Sequence, residues 1–166
     1  MVIEHFFLSE NGWVPNNAHL PVIGYRGVAP DEGGDLARTF ERTFAGNHWQ
    51  GTWRNGIFDY HHYHTMAHEV LGIARGHGVV MLGGPGGREI EVSAGDCLIL
   101  PAGTGHCRIS ASEDFLVVGG YPPGQDPDLR REAPGEAGLH IIATLPLPET
   151  DPLGGDAVSK LWQNGG

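Results

Sequence analysis

From Ile57 onward the chain breaks into short runs, FDYHHYH, HEVLGIARG, VVMLGG, EIEV, DCLILP, CRIS and FLVVGGY, with Gly, Pro or a small polar cluster between most of them. Runs this short, so punctuated, predict a meander of antiparallel strands. Sheets built this way hide their edges by closing into a barrel or a sandwich, so the predicted class is all-β. The 27 glycines and 12 prolines in 166 residues fit many tight turns and are too many for a helical protein. The segment GGPGG at 83–87 reads as a hairpin loop, since a phosphate-binding loop needs a Lys-Ser/Thr pair that this chain lacks.

Around this core, about 56–121, lie two extensions, about 1–55 and 122–166, and the length predicts one domain over 1–166. The first extension predicts a strand over Ile3 to Leu8, a turn-rich stretch, GWVPNNAHLP, and one short helix. Asp35 is placed to cap that helix, Leu36, Phe40 and Phe44 recur every four residues as one apolar stripe, and Gly46 stands where a stop belongs. The second extension is a loop rich in Pro and acid, PPGQDPDLRREAPGEAG, then the apolar run HIIATLPL and a tail expected to wrap the barrel or a neighbouring subunit.

Charge narrows the function. Ten Lys and Arg stand against twenty Asp and Glu, a net −10 that repels phosphate backbones and anionic membranes, so neither nucleic acid nor membrane is an expected partner. Lys160 is the single lysine, which leaves Schiff-base chemistry almost nothing to work with. The opening MVIEHFFLSE has no signal-like pattern, and Cys97 and Cys107 read as reduced thiols, so a cytoplasmic location is expected. Cys107 has the opposite strand parity to His106, and no thiol or serine nucleophile arrangement is present in the sequence.

The stretch HHYHTMAHE, 61–69, is the most informative. On a strand His62 and His64 share a face while His61 and Tyr63 take the other, and two imidazoles on one face can chelate. A turn at Thr65 to Ala67 lets Glu69 offer a carboxylate to the same point, a mixed set that Fe(II), Mn(II), Ni(II) or Zn(II) accepts.

These residues carry a resemblance to a known family. Gly56, His62, His64, Glu69 and Gly76 match the first cupin motif at every position, and Gly95, Pro101, Gly103 and His106 match the second, which departs only where Ser110 replaces Asn. FFLSENGWVPNN, WRNGIFDYHHYHTMAHEVLGIARG, AGDCLILPAGTGH and EDFLVVGGYPPGQ resemble the YjlB-like cupins in finer detail. The resemblance implies a single cupin barrel, a double-stranded β-helix or jelly roll, with one divalent metal held by His62, His64, Glu69 and His106. It also implies pairing through the N-terminal segment, hence a homodimer.

Three further residues follow from this placement. Arg108 lies two residues past His106 and on an unbroken strand faces the same cavity, where its fork suits the carboxylate of a small acidic substrate. Tyr60 shares the parity of His62 and is a candidate proton donor, as Glu69 is a candidate proton relay. His68 competes with Glu69 for the ligand position; the family's spacing and the charge of a carboxylate favour Glu69, which leaves His68 as a partner of the ligands or a solvated side chain. The expected function is a metal-dependent enzyme, dioxygenase-, isomerase- or decarboxylase-like, on a small polar or acidic molecule. The alternative is a cupin that binds a small ligand without turnover around a structural or vestigial metal.

Overall fold

Strands form where most of the short runs stand, and the computed structural model describes them over residues 2–28 and 34–162. Residues 1, 29–33 and 163–166, parts of the two extensions, lie outside the described residues. In chain order the elements are β1 (Val2–Phe6), β2 (Val22–Arg26), α1 (Leu36–Gly46), β3 (Gln50–Asn55), β4 (Glu69–Arg75), β5 (His77–Leu82), β6 (Arg88–Ser93), β7 (Cys97–Leu100), β8 (His106–Ala111), β9 (Leu116–Tyr121), α2 (Gly135–Thr144) and α3 (Ala157–Leu161). The strands make two antiparallel sheets, one in the order β1-β2-β7-β4-β9-β3 and one in the order β6-β5-β8, which is the expected jelly roll. Gly83 to Gly87 joins β5 to β6 as the expected hairpin loop.

The central strands β2, β7, β4 and β9 of the six-stranded sheet are buried on both faces because each face covers a different core. Leu71 and Ile73 of β4, Leu98 and Leu100 of β7 and Val117 of β9 pack against Val80, Leu82, Ile90 and Val92 of the second sheet. The alternate residues Val70, Ala74, Cys97, Ile99 and Val118 pack against α1, Trp49 and α3. This strict alternation places Glu69 on the face between the sheets and His68 on the helix-covered face.

The short helix α1 forms as the sequence predicts. The Asp35 side chain accepts from the Arg38 N–H at 3.2 Å, and Leu36, Ala37, Phe40 and Phe44 are buried. Each buried Phe contributes about 1.5–3 kcal/mol of transfer free energy. Gly46 is the last helical residue, while the left-handed turn comes at His48 (φ 69°) after Asn47 has capped the helix.

Three expectations need correction. FDYHHYH is not a strand: its backbone bonds are divided, Phe58 and His62 pairing with β8 and Tyr63 with Arg130 on the other side, so no ladder is followed long enough. β1 covers Val2 to Phe6 and stops short of Leu8. The C-terminal extension holds two helices besides the one expected, and the apolar run HII lies in α2, which starts at Gly135 with Glu136 in its first turn. The described part of the tail wraps its own barrel, through a Trp162 Nε1–H to Pro21 carbonyl bond of 2.8 Å and a Tyr25 hydroxyl that donates to Asp151 at 2.6 Å. Among the described residues no helix is long and apolar enough to cross a membrane.

Candidate metal centre

His62, His64 and Glu69 arrive from the loop 56–68 and the first residue of β4, and His106 from the first residue of β8, so the cluster sits at one end of the barrel where both sheets open. His62 and His106 are held side by side by reciprocal backbone bonds of 3.2 and 2.9 Å. The Gly103 N–H donates to the His64 carbonyl at 2.7 Å, and Gly103 is left-handed (φ +91°) with the Asn16 carbonyl only 2.5 Å from where a Cβ would stand. The motif glycine therefore allows the second motif to close against the first.

One ring nitrogen from each of His62, His64 and His106 lies within 4.8 Å of the others. In each ring Nδ1 meets a backbone carbonyl: Tyr60 for His62 at 3.0 Å, Thr104 for His106 at 2.9 Å, and Asp128 for His64. A carbonyl only accepts, so each Nδ1 carries a proton and Nε2 is the nitrogen left to face the cluster, with a lone pair whenever the ring is neutral. Glu69 Oε1 stands 3.3 Å from His106 Nε2 and 3.6 Å from His64 Nε2. Converging lone pairs beside a buried carboxylate call for a cation, and three imidazoles with a carboxylate are a donor set that borderline divalent metals accept.

A proton on Nε2 of His64 or His106 competes with a cation for the same position beside Glu69. Burial alone raises the Glu69 carboxyl, but the charge that His64 and His106 carry when protonated, 3.6 and 3.3 Å away, holds it well below the usual carboxylate range. Burial lowers His64, and the Glu69 carboxylate more than reverses this. His62 is pushed down to about 3 by burial and then by its neighbour His106.

These side chains open into a cavity of about 410 Å³ walled by Trp53, Phe58, Leu71, Arg108 and Tyr121. Arg108 lines it, with a side chain 37% exposed and Asp59 at 3.8 Å. Tyr60 is not among the lining residues: its ring lies between Phe58, stacked at 4.9 Å, and the Arg131 guanidinium at 4.0 Å. Its ring also meets the His62 ring edge-on at 5.5 Å, so Tyr60 stands beside that histidine but off the cavity wall. His68 is neither solvated nor beside the cluster. It is fully buried on the helix-covered face against Trp162, accepts from the Ala102 N–H at 2.9 Å, and is pushed down to about 4 by burial. Two wider surface depressions, about 760 Å³ near Ser93 and about 850 Å³ beside α2, bring no such cluster together among the described residues.

Sequence reasoning passes over Trp53, Tyr121 and Asp128. The Trp53 indole N–H donates to the Tyr121 hydroxyl at 2.8 Å, and burial followed by the Glu69 charge raises the Tyr121 pKa. Asp128 supplies the carbonyl for His64, and its carboxylate takes the Thr65 N–H (2.7 Å) and hydroxyl (2.6 Å), the Met66 N–H (2.9 Å) and Arg130 Nε (2.9 Å). The acid-rich loop after Tyr121 was the only signal that polar groups return to the site.

The cupin domain family model matches residues 54–118, the span that carries His62, His64, Glu69 and His106. Over 163 residues the chain is 35% identical to Uncharacterized protein YjlB of Bacillus subtilis (strain 168), covering 96% of each. The chain belongs to the YjlB-like cupins. Among solved structures, this cupin is similar to acireductone dioxygenase from Bacillus anthracis with cadmium ion in its active centre, at 16% identity over 56% of this chain and 64% of that one, TM-score 0.40. It is also similar to RmlC from Streptococcus suis, at 12% identity over 70% and 72%, TM-score 0.36. Cupins share a scaffold across unrelated activities, so distant likenesses of this kind carry no chemistry from one to another.

Proposed function

We propose that this cupin is a mononuclear metal-dependent enzyme acting on a small polar or acidic molecule, with His62, His64, Glu69 and His106 as the ligands of one Fe, Mn, Ni or Zn ion. The observation that carries the reading is the set of three imidazoles, each with Nδ1 committed to a backbone carbonyl, whose remaining nitrogens gather beside Glu69 on the floor of an open cavity. A divalent ion bound there supplies a Lewis-acid or redox centre.

The chain's own groups do the rest. Arg108 offers its guanidinium to a substrate carboxylate at the cavity mouth, since its partner Asp59 is only loosely paired at 3.8 Å and largely exposed. Leu71 and Trp53 give the cavity apolar walls that strengthen charge interactions within it. Glu69, held ionised, balances part of the cation's charge.

The test is elemental analysis of protein purified without chelators or metal-affinity resin, beside the double variant His62→Ala/His106→Ala. About one equivalent of a divalent metal per chain in the wild type, absent from the variant, is the expected result. A wild type that carries none and takes none up overturns the reading. Metal present, with carboxylate ligands bound yet none consumed, points instead to the ligand-binding cupin. We also propose a homodimer through the edge strand β1, whose Val2 and Ile3 are exposed; a one-chain mass in solution at micromolar concentration overturns it.

A further inference from the structure

The Val70↔Gly120 and Leu71↔Gly119 register between β4 and β9, continued by one residue, sets Glu69 directly opposite Tyr121. Antiparallel partners on one face bring their side chains within reach of each other. Both face the cavity, and Tyr121 is 8% exposed. The Tyr121 hydroxyl already accepts the Trp53 indole N–H at 2.8 Å, so its own proton must go to an acceptor, and the Glu69 carboxylate is the neighbouring one. Trp53 is itself fixed: its ring lies flat on Gly119, where a Cβ would stand 2.1 Å from Cε2. The order Gly119, Trp53, Tyr121, Glu69 is a chain of contacts that ends on the carboxylate facing His64 and His106.

We propose that Tyr121 is a positioning residue: its hydroxyl, oriented from behind by Trp53, selects the Glu69 rotamer that presents a carboxylate oxygen to the three-histidine cluster. This rests on the metal reading above. Groups that orient ligand side chains in this way usually change metal affinity about 10- to 100-fold when removed.

The test uses apo full-length protein as wild type, Tyr121→Phe, Trp53→Phe, Glu69→Gln and the double variant Glu69→Gln/Tyr121→Phe. Zn(II) affinity is read by competition with a chromophoric chelator, the ligand field from the visible bands of Co(II), and folding from the apo melting temperature. Tyr121→Phe is expected to bind Zn(II) about 10-fold more weakly, with altered Co(II) bands and a near-wild-type apo melting temperature. Trp53→Phe is expected to move both readouts in the same direction by less. In the Glu69→Gln background, Tyr121→Phe is expected to add nothing, because its effect passes through the carboxylate.

Wild-type Zn(II) affinity and Co(II) bands in Tyr121→Phe overturn this inference and leave the metal reading standing. An equal loss in the Glu69→Gln background also overturns it, since that marks a general packing effect. A Tyr121→Phe protein that does not fold leaves Trp53→Phe to decide, and unchanged Co(II) bands there overturn the proposal. A wild type that binds neither metal overturns both.

Discussion

Replacing Asp128 by Ala tests how the site is held, because this residue ties the C-terminal extension to the ligand loop. Its carboxylate, 19% exposed, takes four hydrogen bonds, from Thr65 twice, Met66 and Arg130. In the variant the Met66 N–H, on a residue 46% exposed, turns to water, as does the partly exposed Arg130. Thr65 is 0% exposed and cannot, so its N–H and hydroxyl lose their partner while buried. At about 1–3 kcal/mol per group so orphaned, with some relaxation of the loop, the cost is about 2–3 kcal/mol. For a chain of this size that lowers the melting temperature by roughly 5–10 °C.

The same change has a pH signature. Burial raises the Asp128 carboxyl, but the hydrogen bonds from Thr65, Met66 and Arg130 outweigh it and leave the pKa below its ordinary value. A carboxyl depressed in the folded state gives stability that is whole above its unfolded pKa, about 3.9, and is lost as pH falls through the folded value. Urea unfolding of both proteins from pH 7 downward is therefore expected to show a constant gap to about pH 5 that narrows below about pH 4. A gap under about 0.5 kcal/mol at pH 7 refutes the account of the clamp. A gap that widens on acidification refutes the sign.

Other outcomes follow from single contacts. Gly119→Ala, which forces Trp53 off its seat, is expected to cost about 1–3 kcal/mol in a denaturant melt and to red-shift the tryptophan fluorescence. Tyr25→Phe removes the 2.6 Å donor to buried Asp151, which also receives the Val158 and Leu153 N–H groups; a loss of about 1.5–3 kcal/mol is expected, with earlier proteolysis of the C-terminal segment. Adding a chelator to metal-loaded protein is expected to lower its melting temperature, whereas the His62→Ala/His106→Ala variant shows no response to chelator.

Local signals served the sequence reading well where the element was real and continuous. The Asp35 cap and the Leu36, Phe40 and Phe44 stripe describe α1, and alternation along β8 places both His106 and Arg108 at the cavity. β4 starts at Glu69, which turns toward His64 and His106, while His68 just before it turns the opposite way against Trp162. Tyr60 stays beside His62 at 5.5 Å but off the cavity wall, in a loop whose backbone bonds are divided between two neighbours. The start of α2 was readable in Pro134, Gly135 and Glu136, but the Pro-rich approach hid it. Trp53 and Tyr121 have no local signal, and Asp128 has only the acid-rich loop around it. Their roles come from pairing between segments more than 60 residues apart, as in the Trp53 to Tyr121 bond.

The carbonyls that hold the three imidazoles belong to the main chain and are not written in residue identity. Tyr60 and Thr104 can drift to other amino acids over generations without their histidines losing an acceptor, provided the backbone keeps its path. His64 has no such freedom, because the path that brings it the Asp128 carbonyl is held by the Asp128 side chain itself. Of the three orienting positions, 128 is therefore the one where a family of such chains should resist change, although its side chain touches neither the imidazole nitrogens of the cluster nor the cavity.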